Sequence, residues 1–284
     1  YDVISLDYRQ PGLRRYMTDA MKYWVRDVGF DGFRCDVAGF VPLDFWVNVR
    51  RELDAIRPVF MLGEWESRDL QARAFDATYA WSWYDSMHAI AMGKTDAGSL
   101  YGYYAWNEGF YPRDSFRMLF TSNQDKNSWD GTALEQFGAA LPAATVLSFV
   151  SEGLPLIYNG QEAGNAKRLK FFEKDPIEWR ANPAAELYRR LIVLRKTHPA
   201  LWSAHWGARM IQVPNDVSAL CFVRQQGADK VFAVFNFSPD TKTVRFTGGP
   251  FAGAYHDYFT GESVAIKPDT ALTLKPWACR VFVP

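Results

Sequence analysis

Apolar positions change their period along this chain, and the change divides it. Over 13–28 they fall at Leu13, Tyr16, Met17, Ala20, Met21, Trp24 and Val25, a spacing that predicts a helix with one apolar face. Pro11 suits the first helical turn and Gly29 the end, while residues 1–10 are polar and turn-like. Residues 30–37 read as a buried strand. Pro42 then opens a second helix, with Phe45, Trp46, Val49 and Leu53 on its inner side, that closes before Arg57-Pro58. The apolar run 59–64 ends in Glu64, so strand, helix and strand deliver Asp36 and Glu64 at the same end of two successive strands.

Residues 69–111 carry no clear period and predict irregular loops around one or two short helices at about 83–92. A strand at 115–120 runs into the polar Thr121-Ser122-Asn123-Gln124-Asp125, and 133–150 reads as one long apolar helix. A short buried strand at 154–158 ends in the loop 159–162, and 187–197 is an amphipathic helix with Leu191, Ile192 and Leu194 on one side. Strands alternating with helices predict a parallel sheet with right-handed crossovers, whose functional residues collect at the strand C-terminal ends. After about Trp206 the runs 210–213, 218–224, 230–236, 243–246, 253–258 and 279–283 are short, β-rich and divided by Gly, Asp, Pro and Asn. They predict a small antiparallel sandwich. A boundary between Pro199 and Ala208 gives domains of 1–205 and 206–284.

A chain of 284 residues holds one large domain plus a small one. Thirty-two Lys+Arg balance 32 Asp+Glu, so no basic field points to nucleic acid and no acidic field to disorder. Aromatic content, 16%, is the compositional outlier. Aromatic rings stack on sugar rings and also fill cores; core or scaffold is the default for Trp81, Trp83 and Trp106. Cys35, Cys221 and Cys279 are odd in number and scattered, which indicates neither a zinc site nor a disulfide framework and leaves secretion open. No apolar run approaches a membrane span, and a start at Tyr1 without Met or a targeting segment suggests a processed chain or a fragment. No Gly-rich loop follows a strand, which argues against nucleotide binding.

The stretch Gly32-Phe33-Arg34-Cys35-Asp36-Val37-Ala38 carries the most informative chemistry. On a strand, residues two apart share a face, so Arg34 and Asp36 would project into one space. An Arg beside a carboxylate keeps it ionised, which suits a nucleophile; a structural ion pair at a strand end is the other reading. Other polar residues also have plain alternatives: Asp125 as a loop cap, Asn123 in an Asx-turn, and Glu162 as a loop residue.

Taken in order, Gly32-Phe33-Arg34-Cys35-Asp36, Leu62-Gly63-Glu64-Trp65 and Phe120-Thr121-Ser122-Asn123-Gln124-Asp125 resemble three signature regions of the α-amylase family of glycoside hydrolases. Gly153 to Glu162 resembles the family's last barrel strand, and 187–201 the helix that leads into its C-terminal β-domain. The resemblance covers essentially the whole chain. It implies a partial TIM-type (β/α) barrel lacking its first strands, followed by the β-sandwich, and a retaining α-glucan hydrolase acting on starch or malto-oligosaccharides. Asp36 matches the nucleophile, Glu64 the general acid/base and Asp125 the carboxylate that stabilises the oxocarbenium-like transition state. Arg34, Asn123, Gln124 and Trp65 fall at substrate-binding positions, and Arg34 would also orient the nucleophile. The same triad serves transglycosylases and debranching enzymes, and a glucan-binding remnant with little activity is a reading from another class.

Three departures from the family pattern stand out. Gln124 replaces the usual His before the last catalytic Asp, keeping a donor but losing a charge. Val37-Ala38-Gly39-Phe40 stands in place of a Lys-His pair after the nucleophile, and the calcium ligand associated with that His is not evident; the resemblance implies no cofactor for the chemistry and a structural calcium that is possible but not supported by the residues present. The first three strands of an eight-stranded barrel have no counterpart, which would leave sheet edges open and calls for a homo-oligomer or a partner chain to cover them.

Overall fold

The computed structural model describes residues 4–284. The first three residues of the turn-like stretch 1–10 therefore lie outside the described residues. The chain forms two compact units, one holding the described residues up to Ala80 with Glu108–Arg117, the other Trp81–Asn107 with Met118–Pro284.

In the first unit, α1 (Pro11–Tyr23) continues into a single π turn, Trp24–Val28, that stops at Gly29 with φ of 89°. β1 (Gly32–Cys35), α2 (Leu43–Asp54), β2 (Phe60–Gly63), α3 (Arg68–Arg73) and β3 (Ala77–Tyr79) follow. β1 pairs with β2 and β2 with β3, both parallel and in chain order, with Arg34 opposite Leu62. α2 buries Phe45, Trp46, Val49 and Leu53, the four positions its periodicity selects, against Cys35, Met61, Leu70 and Phe75. Gly32 lets the two strands approach: a Cβ there would lie 1.9 Å from the Phe60 carbonyl oxygen. The Asp76 carboxylate accepts from the Met61 N–H and from Arg50, each at 2.7 Å, and so fastens the base of β3 to β2.

The apolar face of α1 is only partly covered. Met17 and Met21 pack against the core and Val25 joins it, but Tyr16 is 70% exposed, and Tyr23, Trp24, Val28 and Phe30 also face water. The stripe is wider than the surface that α2 and β1 present to it.

In the second unit, α4 (Trp81–Ala91) lies where a short helix was expected at about 83–92, while α5 (Gly98–Phe110, whose last residues belong to the first unit) replaces expected irregular loop, and β3 was likewise unforeseen in the stretch 69–111. Met118 and Leu119 of β4 (Phe116–Leu119) pair in parallel with β5 (Leu154–Pro155). The predicted helix over 133–150 is two helices, α6 (Ala133–Phe137) and α7 (Leu141–Val150), because Gly138 turns to φ of 48° between them. Thr132 and Glu135 cap α6 reciprocally. By length and composition alone Ala133–Val150 is apolar enough to cross a membrane, but 56% of it is buried inside the protein and Gly138 divides it. α8 (Pro183–Thr197) starts four residues earlier than its apolar spacing suggests, with the Asn182 side chain accepting from the Ala184 N–H at 2.9 Å.

The C-terminal part is antiparallel: β6 (Met210–Gln212), β7 (Leu220–Gln226), β8 (Asp229–Phe235), β9 (Lys242–Arg245), β10 (Gly253–Asp257), β11 (Ser263–Ile266), β12 (Ala271–Leu274) and β13 (Cys279–Val283). A six-stranded sheet of order β11-β10-β13-β8-β7-β6 faces a pair, β12-β9, across a core of Cys221, Val223, Phe232, Val234, Val244, Leu272 and Phe282. The sequence reading lacked β11 and β12. Arg224 is buried on β7 and, among the described residues, donates to backbone carbonyls alone: those of Ala208, Val150, Ser151, Leu201 and Trp202.

Candidate active site

Parallel pairing puts the C-terminal ends of β1 and β2 side by side, and the Glu64 N–H extends the ladder by donating to the Cys35 carbonyl at 2.9 Å. β1 stops at Cys35, and Asp36 and Val37 form a turn in which Val37 takes φ of 41°. The turn aims the Val37 N–H at Glu64 Oε2, 2.8 Å away. Arg34 reaches over the same space. Its Nη1 donates to Asp36 Oδ1, its Nη2 pairs with Glu64 Oε2 at 2.9 Å, and its Nε donates to the Tyr79 hydroxyl at 3.2 Å.

One guanidinium therefore holds two carboxylates in unlike surroundings. The Glu64 side chain is 13% exposed and that of Asp36 75%. The Arg34 and Asp36 pair is thus open rather than buried. Burial raises the Glu64 carboxyl above its ordinary value and the Asp36 charge adds to the rise, while the Val37 N–H and Arg34 pull it back without cancelling it.

Trp65 follows Glu64. Its indole lies on Gly39, where a Cβ would come within 2.2 Å of the ring, and its centroid is 5.0 Å from that of Phe40, which is 79% exposed. The two rings border a cavity of about 330 Å³ shared with Pro42, Ser67 and Asp69. Val37-Ala38-Gly39-Phe40 offers no side-chain oxygen or imidazole to a metal ion. Among the described residues no group of three or more His, Cys, Asp or Glu could hold a metal.

The third predicted cluster lies after β4 in the second unit. Asn123 is fully buried, with Oδ1 accepting from the Lys126 N–H at 2.8 Å and Nδ2 without a partner among the described residues. Gln124 Nε2 donates to Asp125 Oδ2 at 3.2 Å. Asp125 opens the helical turn Lys126–Asp130, and after burial its charge is the further cause that raises the Tyr158 phenol. Glu162 closes its own loop by accepting from the Gly160 N–H at 3.0 Å. Trp83 is fully buried with its N–H on the Tyr104 hydroxyl, Trp81 packs edge-on against Phe120, and Trp106 is half-exposed. Sequence reasoning missed Tyr79, the Val37 N–H and Phe40. Tyr79 ends a three-residue strand with no periodic signal, and the Val37 contact depends on a turn conformation that a β-branched residue does not advertise.

Parallel strands with carboxylates at adjacent C-terminal ends, joined to an antiparallel β-domain, define a barrel-type α/β chain with an acid pair at its strand ends. The chain belongs to the α-amylase family: the model of the α-amylase catalytic domain matches residues 2–190, and that of the C-terminal all-beta domain 212–282. Among curated relatives it is 24% identical over 265 residues to α-amylase 2 of Dictyoglomus thermophilum, with 87% of this chain and 45% of that protein covered. To the cyclomaltodextrin glucanotransferase of Geobacillus stearothermophilus it is 28% identical over 284 residues, covering 92% and 38%. The chain thus spans less than half the length of these two relatives. A maltogenic α-amylase from Thermotoga neapolitana has the same fold at a TM-score of 0.87 and 26% identity, covering 100% of this chain and 68% of that one.

Proposed function

We propose that this chain carries the catalytic carboxylates of a retaining α-glucan hydrolase that cleaves α-1,4 bonds of starch or malto-oligosaccharides. The observation that carries the reading is Arg34 holding Asp36 and Glu64 together in opposite environments. Asp36, open and held by the guanidinium, is suited to attack the anomeric carbon. Glu64, enclosed and with a raised pKa, is suited to protonate the leaving oxygen and then to activate water for the second displacement. Two carboxylates on one guanidinium favour the short spacing of a retaining enzyme, roughly 5–5.5 Å, over the wider gap that an inverting enzyme leaves for water. Asp125 takes the transition-state-stabilising part on its motif, with Asn123 and Gln124 beside it, and Trp65 borders the sugar.

The match to a cyclomaltodextrin glucanotransferase supports a second reading, in which a sugar hydroxyl replaces water in the second step. Product analysis after incubation with maltoheptaose separates the two. Only shorter linear sugars mean hydrolysis; longer or cyclic products mean transfer.

The reading also includes a covering polypeptide. Tyr16, Tyr23, Trp24 and Phe30 form an exposed apolar face of the kind that supports association, with a second copy or with another chain. Light scattering on the purified chain tests the first of these: a dimer mass supports the second copy, and a monomer leaves the face to another chain.

A further inference from the structure

The loops after β4 and β5 in the second unit carry three aromatic rings into solvent. Trp129 is 58% exposed, Phe171 43% and Phe172 69%, and the rings touch: Trp129 is 5.3 Å from Phe171 and 6.1 Å from Phe172, and the two Phe rings are 5.0 Å apart. A core does not account for rings left in water, and adjoining exposed rings mark a binding surface.

The cluster is fixed from beneath by a buried polar clamp. Asn127 is 3% exposed; its Oδ1 accepts from the Leu169 N–H at 2.8 Å and its Nδ2 donates to the Lys167 carbonyl at 3.3 Å. Asp175 holds the far side of the same loop, accepting from Lys167 Nζ at 2.6 Å and the Lys170 N–H at 3.0 Å. Asn127 and Trp129 lie on the helical turn that Asp125 opens. The clamp therefore locks Phe171 and Phe172 beside Trp129, a few residues of rigid chain from Asp125. The rim is polar, with exposed ion pairs between Arg168 and Glu135 and between Lys170 and Glu173.

We propose that Trp129, Phe171 and Phe172 form a platform for α-glucan chains, on which pyranose rings stack while the charged rim meets their hydroxyls. A sugar ring has an apolar face and a belt of donors and acceptors, and this surface offers the complement of both. The inference rests on the α-glucan reading above and extends its site beyond the acid pair.

The test is calorimetric titration of maltoheptaose into the full chain carrying Asp36→Asn, which prevents turnover, with and without Trp129→Ala or Phe172→Ala. Both rings are exposed, so truncation spares the core, and circular dichroism checks the fold. Trp129→Ala should raise Kd about tenfold, the size of one aromatic stacking contact, and Phe172→Ala by less. Unchanged Kd in both variants, or no maltoheptaose binding by the parent, would overturn the platform. A change of oligomeric mass in Trp129→Ala would also overturn it, by making the cluster an interface between copies. Reducing-sugar release by the chain with Asp36 intact is read separately. Trp129-dependent binding without release sinks the hydrolase reading and keeps the platform; release with Trp129-independent binding does the reverse.

Discussion

Glu64 Oε2 accepts the backbone N–H of Val37 at 2.8 Å, so the turn that presents Asp36 also holds its neighbouring carboxylate. The φ of 41° at Val37 is unusual for a β-branched residue, and here it coincides with the contact to Glu64. Arg34 supplies the second restraint on Glu64. The enclosed carboxyl is raised by burial, and these two donors limit the rise.

A titration prediction follows from those signs. Arg34→Met removes a cation that favours the charged form, so the Glu64 pKa should move further up, read by NMR of the side-chain carboxyl carbon. A fall or no change contradicts the geometry. The same raised value has a stability consequence. The folded chain binds this proton more tightly than the unfolded one, so Glu64's contribution is full below its ordinary value of 4.5 and is lost as pH rises through the raised folded value. Glu64→Gln should flatten that part of the stability profile in denaturant melts.

Glu64→Gln also separates the two chemical roles. Starch cleavage should fall by about a hundredfold or more, the usual contribution of a general acid, while an aryl maltoside with an activated leaving group needs little protonation and should retain much of its first-step rate. Equal losses on both substrates would remove Glu64 from the acid role.

Gly39 is set by Trp65. With a Cβ 2.2 Å from the indole, Gly39→Ala must displace the ring or the turn, and destabilisation of about 1–3 kcal/mol is expected. Chemical denaturation measures it; a loss near zero would mean that the ring does not sit where the fold places it.

Much of this was legible in the sequence because burial and period coincide. Phe45, Trp46, Val49 and Leu53 are at helical spacing and all face the core, so α2 could be read to within a residue or two of its ends. The polar residues that end β1 and β2 were readable for the same reason, since an apolar run makes a terminal carboxylate conspicuous. β3 was not, because three residues between helices carry no period. α5 contains Gly102 and Gly109 among aromatics on several faces, which hides its helical register. β11 and β12 alternate buried and exposed positions over only four residues each, too short a run to stand out from turns. Residues 30–37 read as one buried strand, and the early end of β1 at Cys35 is a backbone event that side-chain patterning does not encode.

Arg224 is held by backbone rather than by a hydrogen-bonded carboxylate. Its donors satisfy five backbone carbonyls, those of Val150, Ser151, Leu201, Trp202 and Ala208. Arg224→Met leaves those carbonyls buried without a donor and should destabilise the chain by about 3 kcal/mol or more in denaturant melts. A loss under about 1 kcal/mol would mean that water replaces the guanidinium.

The most direct test of the central claim is reducing-sugar release from soluble starch by the purified chain and by its Asp36→Asn variant, with equal circular dichroism as the check on fold. The parent should release reducing sugar and the substitution should abolish that release, because the change removes the nucleophile with almost no change in volume. Undiminished release by Asp36→Asn would contradict it.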